Sequence, residues 1–169
     1  MTDNAARLQL PESTDVAVIG TGYSGLRRSP KKLAGLHDFV LLEQADTVGG
    51  AWRDNHYPGA ACDIASNPYS FSFEPNPHWT RIYPQQPELQ AYVLHCVEKY
   101  GLRPHLHCGA AVTEARFDEA SQLCHVTVNG ALRLTARVLR AADYAVREYR
   151  VLFFMRWPAV LKRLHGQIA

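Results

Sequence analysis

The feature that most constrains this chain is a strand, a glycine-rich turn, a second strand and an acid, all complete by residue 43. Asp15-Val16-Ala17-Val18-Ile19-Gly20 is a short apolar run rich in β-branched residues. It suits a parallel strand buried on both faces. Gly20-Thr21-Gly22-Tyr23-Ser24-Gly25 follows at once, a helix is expected over 26–35, and Phe39-Val40-Leu41-Leu42 reads as a second buried strand closed by Glu43. Strand, G-x-G-x-x-G, helix, strand, acid is the dinucleotide-binding fingerprint. Gly20 allows a tight turn off the strand, and Gly22 lets the backbone approach a pyrophosphate with no Cβ in the way. Gly25 allows the helix to lie close on the sheet. Tyr23 and Ser24 complete the loop, whose N–H groups and helix dipole favour phosphate. Glu43, 18 residues past Gly25, can accept both hydroxyl protons of an adenosine ribose and repels a 2′-phosphate. Ser24 is read as a helix-start residue rather than a nucleophile, since no acid or histidine stands at a telling spacing. Pro30 and the Arg27-Arg28 pair spoil the helix for close packing and weaken the expectation of a working phosphate site.

Residues 46–87 are loop-rich, with nine Gly or Pro, yet they hold Trp52, Tyr57, Tyr69, Phe71, Phe73, Trp79 and Tyr83. A loop with so many large rings is ordered by packing. Gln86-Pro87-Glu88 opens a helix, with Pro87 suited to its first turn. Leu89, Tyr92, Val93, Cys96 and Val97 form its apolar stripe, and Gly101 ends it. Short strands are expected over 105–128, then an Asn129-Gly130 hairpin turn and a returning strand over 132–138. From Ala141 the period becomes helical, interrupted at Pro158. Residues 1–14 read as a disordered lead.

After the ribose acid comes Val48-Gly49-Gly50-Ala51-Trp52-Arg53, then Tyr57-Pro58-Gly59-Ala60-Ala61-Cys62-Asp63, then Tyr69-Ser70-Phe71-Ser72-Phe73. This pattern resembles the FAD domain of flavin-dependent monooxygenases, specifically the Baeyer–Villiger branch. The resemblance runs from Val16 to about Val138. It implies an α/β fold: a Rossmann-like FAD/NAD(P)-binding domain with a parallel sheet, a β-rich excursion and a C-terminal helix. It further implies that Gly49, Gly50, Trp52 and Arg53 line the flavin. Asp63 would lie near the flavin and help set the nicotinamide, as the one candidate catalytic residue; Tyr69 would stand close to the ring, and the Val112 backbone would contact the adenine. The activity implied is NADPH-dependent, flavin-mediated oxygenation of a ketone or a heteroatom. The family's second G-x-G-x-x-G, for NADPH, has no counterpart here. Where a strand ending in Ala-Thr-Gly should follow Leu139, the chain reads Arg140-Ala141-Ala142-Asp143. Residues 15–140 are therefore read as a partial FAD domain, and 141–169 as a basic, apolar helical tail resembling the region after the family's NADPH domain. The chain alone is expected not to complete turnover. Two further readings stay open: a non-catalytic FAD or adenine-nucleotide binder, or partner subunit, and the remnant of a disrupted gene.

Charge agrees with a join near the tail. Residues 1–130 carry a net of −4 and residues 131–169 a net of +6, although the whole chain sums to +2. That total gives no case for nucleic acid. No apolar run approaches a membrane span, and a cytoplasmic setting is expected for the four cysteines, none of them in a C-x-x-C pair. His95, Cys96, His105, His107 and Cys108 fit no standard zinc spacing, so no metal is expected. The tail's large apolar residues among Arg147, Arg150, Arg156, Lys162 and Arg163 invite self-association, or a membrane surface as a second reading.

Overall fold

The computed structural model describes residues 8–27 and 37–141. The expected helix beyond Arg27, Pro30 with it, and the basic tail lie outside the described residues.

The unbroken apolar runs 16–19 and 39–42 lie in adjacent parallel strands, β1 (Ser13–Ile19) and β2 (Phe39–Leu42), with Val16 opposite Phe39 and Ile19 opposite Leu42. Alternate side chains of a strand point to opposite faces, so such runs need cover on both sides. They receive it. Val16, Val18, Phe39 and Leu41 pack into one core with Leu26, Phe71, Tyr92, Val93, Cys96 and Val97. Ala17, Ile19, Val40 and Leu42 pack into another with Val112, Val126, Val128, Leu134 and Ala136. Leu8 and Leu10 lie against the second core, Ser13 and Thr14 already belong to β1, and Glu12 accepts a hydrogen bond from the Thr135 N–H at 3.0 Å. The expected disordered lead is thus corrected from Leu8 onward: two leucines and an early strand start give that segment apolar cover and backbone partners.

Between the strands lies α1 (Tyr23–Arg27), and a short α2 (Ala51–Asp54) follows the second pair of glycines. The long helix α3 (Gln86–Lys99) buries Leu89, Tyr92, Val93, Cys96 and Val97, the stripe its 3.6-residue period requires. Its end has a specific cause. Gly101 takes φ 56°, the Gly101 N–H bonds Glu98 O at 2.9 Å, and the Leu102 N–H bonds Val97 O at 2.9 Å. Those two bonds satisfy carbonyls the helix would otherwise leave open, and Leu102 joins the same core as Val97.

The short β3 (Leu106–His107) adds to β2 in parallel. Then β4 (Val112–Asp118), β5 (Leu123–Val128) and β6 (Leu132–Ala141) form an antiparallel meander. Asn129 and Gly130 turn it with φ 52° and 70°. β6 has ten residues because it serves two neighbours: residues 132–136 pair with β5, and 135–141 pair in parallel with β1. The parallel sheet and the β-rich excursion are one six-stranded sheet, in the order β3-β2-β1-β6-β5-β4. The order reverses at β1. In open α/β sheets, ligands bind beyond the carboxyl ends of the strands at such a switch point. The glycine loop leaves β1 at that place.

Candidate functional site

The loop after β1 is shaped by contacts that leave no room for side chains. Gly20 has φ 83°, and its N–H bonds Leu42 O at 2.8 Å, which ties the turn to the end of β2. A Cβ on Gly25 would stand 1.9 Å from Gly20 O. Close packing of helix on turn is therefore a property of this loop. A second loop leans on the first: the Gly49 N–H bonds Thr21 O at 3.2 Å, and a Cβ on Gly50 would meet the Gly22 Cα at 3.0 Å. Gly49 (φ 128°) and Gly50 (φ 55°) both hold backbone conformations that side chains disfavour. Gln90 of α3 braces this junction. Its Nε2 donates to Val48 O at 2.9 Å, and its buried Oε1, which has no hydrogen-bond partner among the described residues, fills the space a Gly49 Cβ would need.

Glu43 lies at the end of β2, only 3% exposed. Oε2 accepts from the Thr21 N–H at 2.9 Å and the Thr21 hydroxyl at 2.5 Å. Oε1 accepts from the Ala45 N–H at 3.1 Å and from Arg53 at 3.0 Å. The same arginine nitrogen donates to Thr47 O at 2.7 Å, while the rest of the guanidinium grips Asp54 at 2.7 and 2.8 Å. These carboxylates, Asp54 first, push the Arg53 pKa further up, so it is a permanent cation beside the acid.

Aromatic rings form the wall next to the loop. Tyr23 packs against Tyr69, Phe71 and Tyr92 with centroids 4.8, 5.2 and 5.9 Å away. Trp52 Nε1 donates to the Tyr69 hydroxyl at 2.8 Å, and Gln86 donates to the Trp52 carbonyl. Burial first, then the neighbouring phenols, raises the pKa of Tyr23; burial also raises that of Tyr69, so both stay neutral donors.

The structure thus brings Gly20, Gly22, Tyr23, Gly25, Glu43, Gly49, Gly50, Trp52, Arg53 and Tyr69 into one connected region. Ser24 is half-buried within α1. Asp63 is exposed, in electrostatic range of Tyr69. Val112 is buried in the second core, two residues beyond Ala110, whose N–H bonds Glu43 O at 2.8 Å. Sequence reasoning missed Thr21, Gln86, Gln90 and Glu74. Thr21 was open to it, as the variable residue between two fingerprint glycines. The others act across long sequence separations and carry no local signal. Among the described residues no group of His, Cys, Asp and Glu could hold a metal ion, and His105 packs on the Phe39 ring at 3.8 Å instead.

Comparison with known proteins adds an independent finding. The model of an NAD(P)-binding Rossmann-like domain matches residues 18–85. A Baeyer–Villiger monooxygenase of Streptomyces coelicolor is 45% identical over 145 residues, which are 85% of this chain and 28% of that protein. An FAD-binding monooxygenase of Aspergillus niger is 40% identical over 120 residues, 67% of this chain and 19% of that one. Among solved structures, an oxidised steroid monooxygenase bound to NADP superposes with a TM-score of 0.71 at 36% identity, over 77% of this chain and 26% of that chain. The chain spans between 19% and 28% of the length of these proteins.

Proposed function

The chain belongs to the Baeyer–Villiger monooxygenase family, and we propose that it is the FAD-holding module of such an enzyme. The observation that carries this reading is the joint between the two glycine loops. Gly22 and Gly50 approach to a distance that Cβ atoms would fill, beside a buried ribose-type acid and a tyrosine–tryptophan wall. That arrangement fits a dinucleotide with its pyrophosphate against bare backbone. Gly20, Gly22, Tyr23, Ser24 and Gly25 would hold the phosphates, Glu43 the ribose, and the Val112 backbone the adenine. Gly49, Gly50, Trp52, Arg53 and Tyr69 would line the flavin, and Asp63, exposed, would be the candidate catalytic residue that helps set the nicotinamide.

FAD, when bound, supplies the redox and oxygen chemistry. The chain's part is to bind, orient and exclude water. NADPH-dependent oxygenation of a ketone or heteroatom is the activity we propose for the enzyme this module serves. The module's own part is to hold the flavin, and NADPH-driven turnover belongs to the enzyme it serves. A cytoplasmic setting accords with four free thiols. Among the described residues no helix is long and apolar enough to cross a membrane. We also propose self-association through residues 144–169.

The test is to purify the full chain with FAD and record its visible spectrum, flavin fluorescence and NADPH oxidation. The expected result is bound flavin with no NADPH consumption. Tight binding of NADPH in place of FAD would overturn the reading, since the fingerprint serves either dinucleotide.

A further inference from the structure

The ribose-type acid is already capped by its own chain. An ionised carboxylate offers about four acceptor directions. Among the described residues Glu43 has four donors on it, from Thr21 (two), Ala45 and Arg53. Two of them are backbone N–H groups fixed by the glycine turn and by the bend after β2. The third is a guanidinium also held by Thr47 O and Asp54. The fourth, the Thr21 hydroxyl, is the one donor that a single side-chain rotation removes. It lies 2.5 Å from Oε2, and Thr21 is completely buried. A ribose hydroxyl bound to Glu43 needs an acceptor direction of the kind this hydroxyl fills.

We propose that Thr21 sets the affinity of the site for an adenosine ribose: its hydroxyl is a built-in competitor that the ribose hydroxyl displaces from Glu43. The inference rests on the dinucleotide-binding reading above. It assigns Thr21 opposite effects on two properties. The hydroxyl stabilises the protein without nucleotide, because a buried carboxylate gains from each donor. The same hydroxyl weakens nucleotide binding, because its bond to Glu43 must break first. A purely structural threonine would help both.

The experiment compares wild type with Thr21→Val, which removes the hydroxyl at nearly constant volume, and Thr21→Ser, which keeps it; Thr21→Ala substitutes if the valine chain does not fold. Thermal melts without nucleotide are paired with titrations of FAD, followed by flavin fluorescence, and of ADP and 2′-deoxy-ADP, followed by calorimetry. The expected result is a lower melting temperature for Thr21→Val with FAD and ADP binding about tenfold tighter, the size of one hydrogen bond to a charged group. Thr21→Ser should track wild type, and the gain should shrink for 2′-deoxy-ADP. Unchanged or weaker FAD and ADP binding by Thr21→Val, with wild type binding normally, overturns the proposal alone. Failure of every chain to bind FAD and ADP overturns the dinucleotide reading and this proposal with it.

Discussion

Gly25 is the residue at which backbone geometry, not side-chain chemistry, decides the site. A methyl group there would sit 1.9 Å from a carbonyl oxygen that cannot swing aside, because Gly20 is held at φ 83° and bonded to Leu42. The helix or the turn must move. Overpacking of this kind costs about 1–3 kcal/mol, and the movement also displaces the N–H groups of the loop. Gly25→Ala is therefore expected to lower the urea midpoint and to abolish FAD retention on gel filtration. Gly59 is the control: it has open space around it, though its φ of 84° makes Gly59→Ala mildly destabilising in its own right. Equal FAD retention by Gly25→Ala and wild type would show that the loop tolerates a displaced helix.

At the scale of elements, the aromatic loop is held by an acid that the sequence did not single out. Glu74 is buried, with Lys99 Nζ at 2.8 Å, the Tyr100 hydroxyl at 2.7 Å and His95 Nε2 at 3.2 Å, all at the end of α3 or beyond it. The Tyr92 hydroxyl accepts from the Phe71 N–H and donates to Glu74 O, closing the joint. Hydrogen bonds from Lys99, first, and Tyr100 bring the Glu74 pKa from 4.5 down to about 2, and Glu74 pushes Tyr100 up to about 12. A carboxylate with a depressed folded pKa adds stability that is fully present above its unfolded value and is lost as pH falls. The window here is from about 4.5 down to about 2. Glu74→Gln is expected to be less stable than wild type at pH 7, with the gap narrowing steadily below pH 4.5 in urea melts. A gap of the same size at pH 7 and pH 3 would mean that the charge contributes nothing. The α3 helix itself was legible because its stripe is local, every contact lying three or four residues from the last. The Glu74 cluster spans 18 to 26 residues, and the Arg53–Glu43 pair joins α2 to the end of β2. No periodicity reports such contacts. The glycine fingerprint and its acid were legible for the opposite reason: the chemistry fixes residue type and spacing together.

For the whole molecule, the instructive strand is β6. Sequence alternation placed it in a hairpin with β5, yet its second half closes the parallel sheet on the far side of β1. Periodicity of two identifies a strand and is silent on its neighbours. The pairing puts Ala141 opposite Ile19, at the same sheet end as the glycine loop. The remainder of the chain therefore departs from a point beside the proposed nucleotide site. Residues 142–169 include Tyr149, Leu152, Phe153, Met155, Trp157, Val160, Leu161 and Leu164, together with five Lys or Arg and two acids. So many large apolar residues in so short a basic segment call for a covering surface. If it seals two copies together, removing residues 144–169 should convert an oligomer into a monomer by light scattering while leaving the FAD spectrum of the remaining chain intact. A monomer with and without the segment would exclude self-association through it. Loss of FAD together with the segment, with no change in oligomeric state, would instead make it part of the proposed nucleotide site.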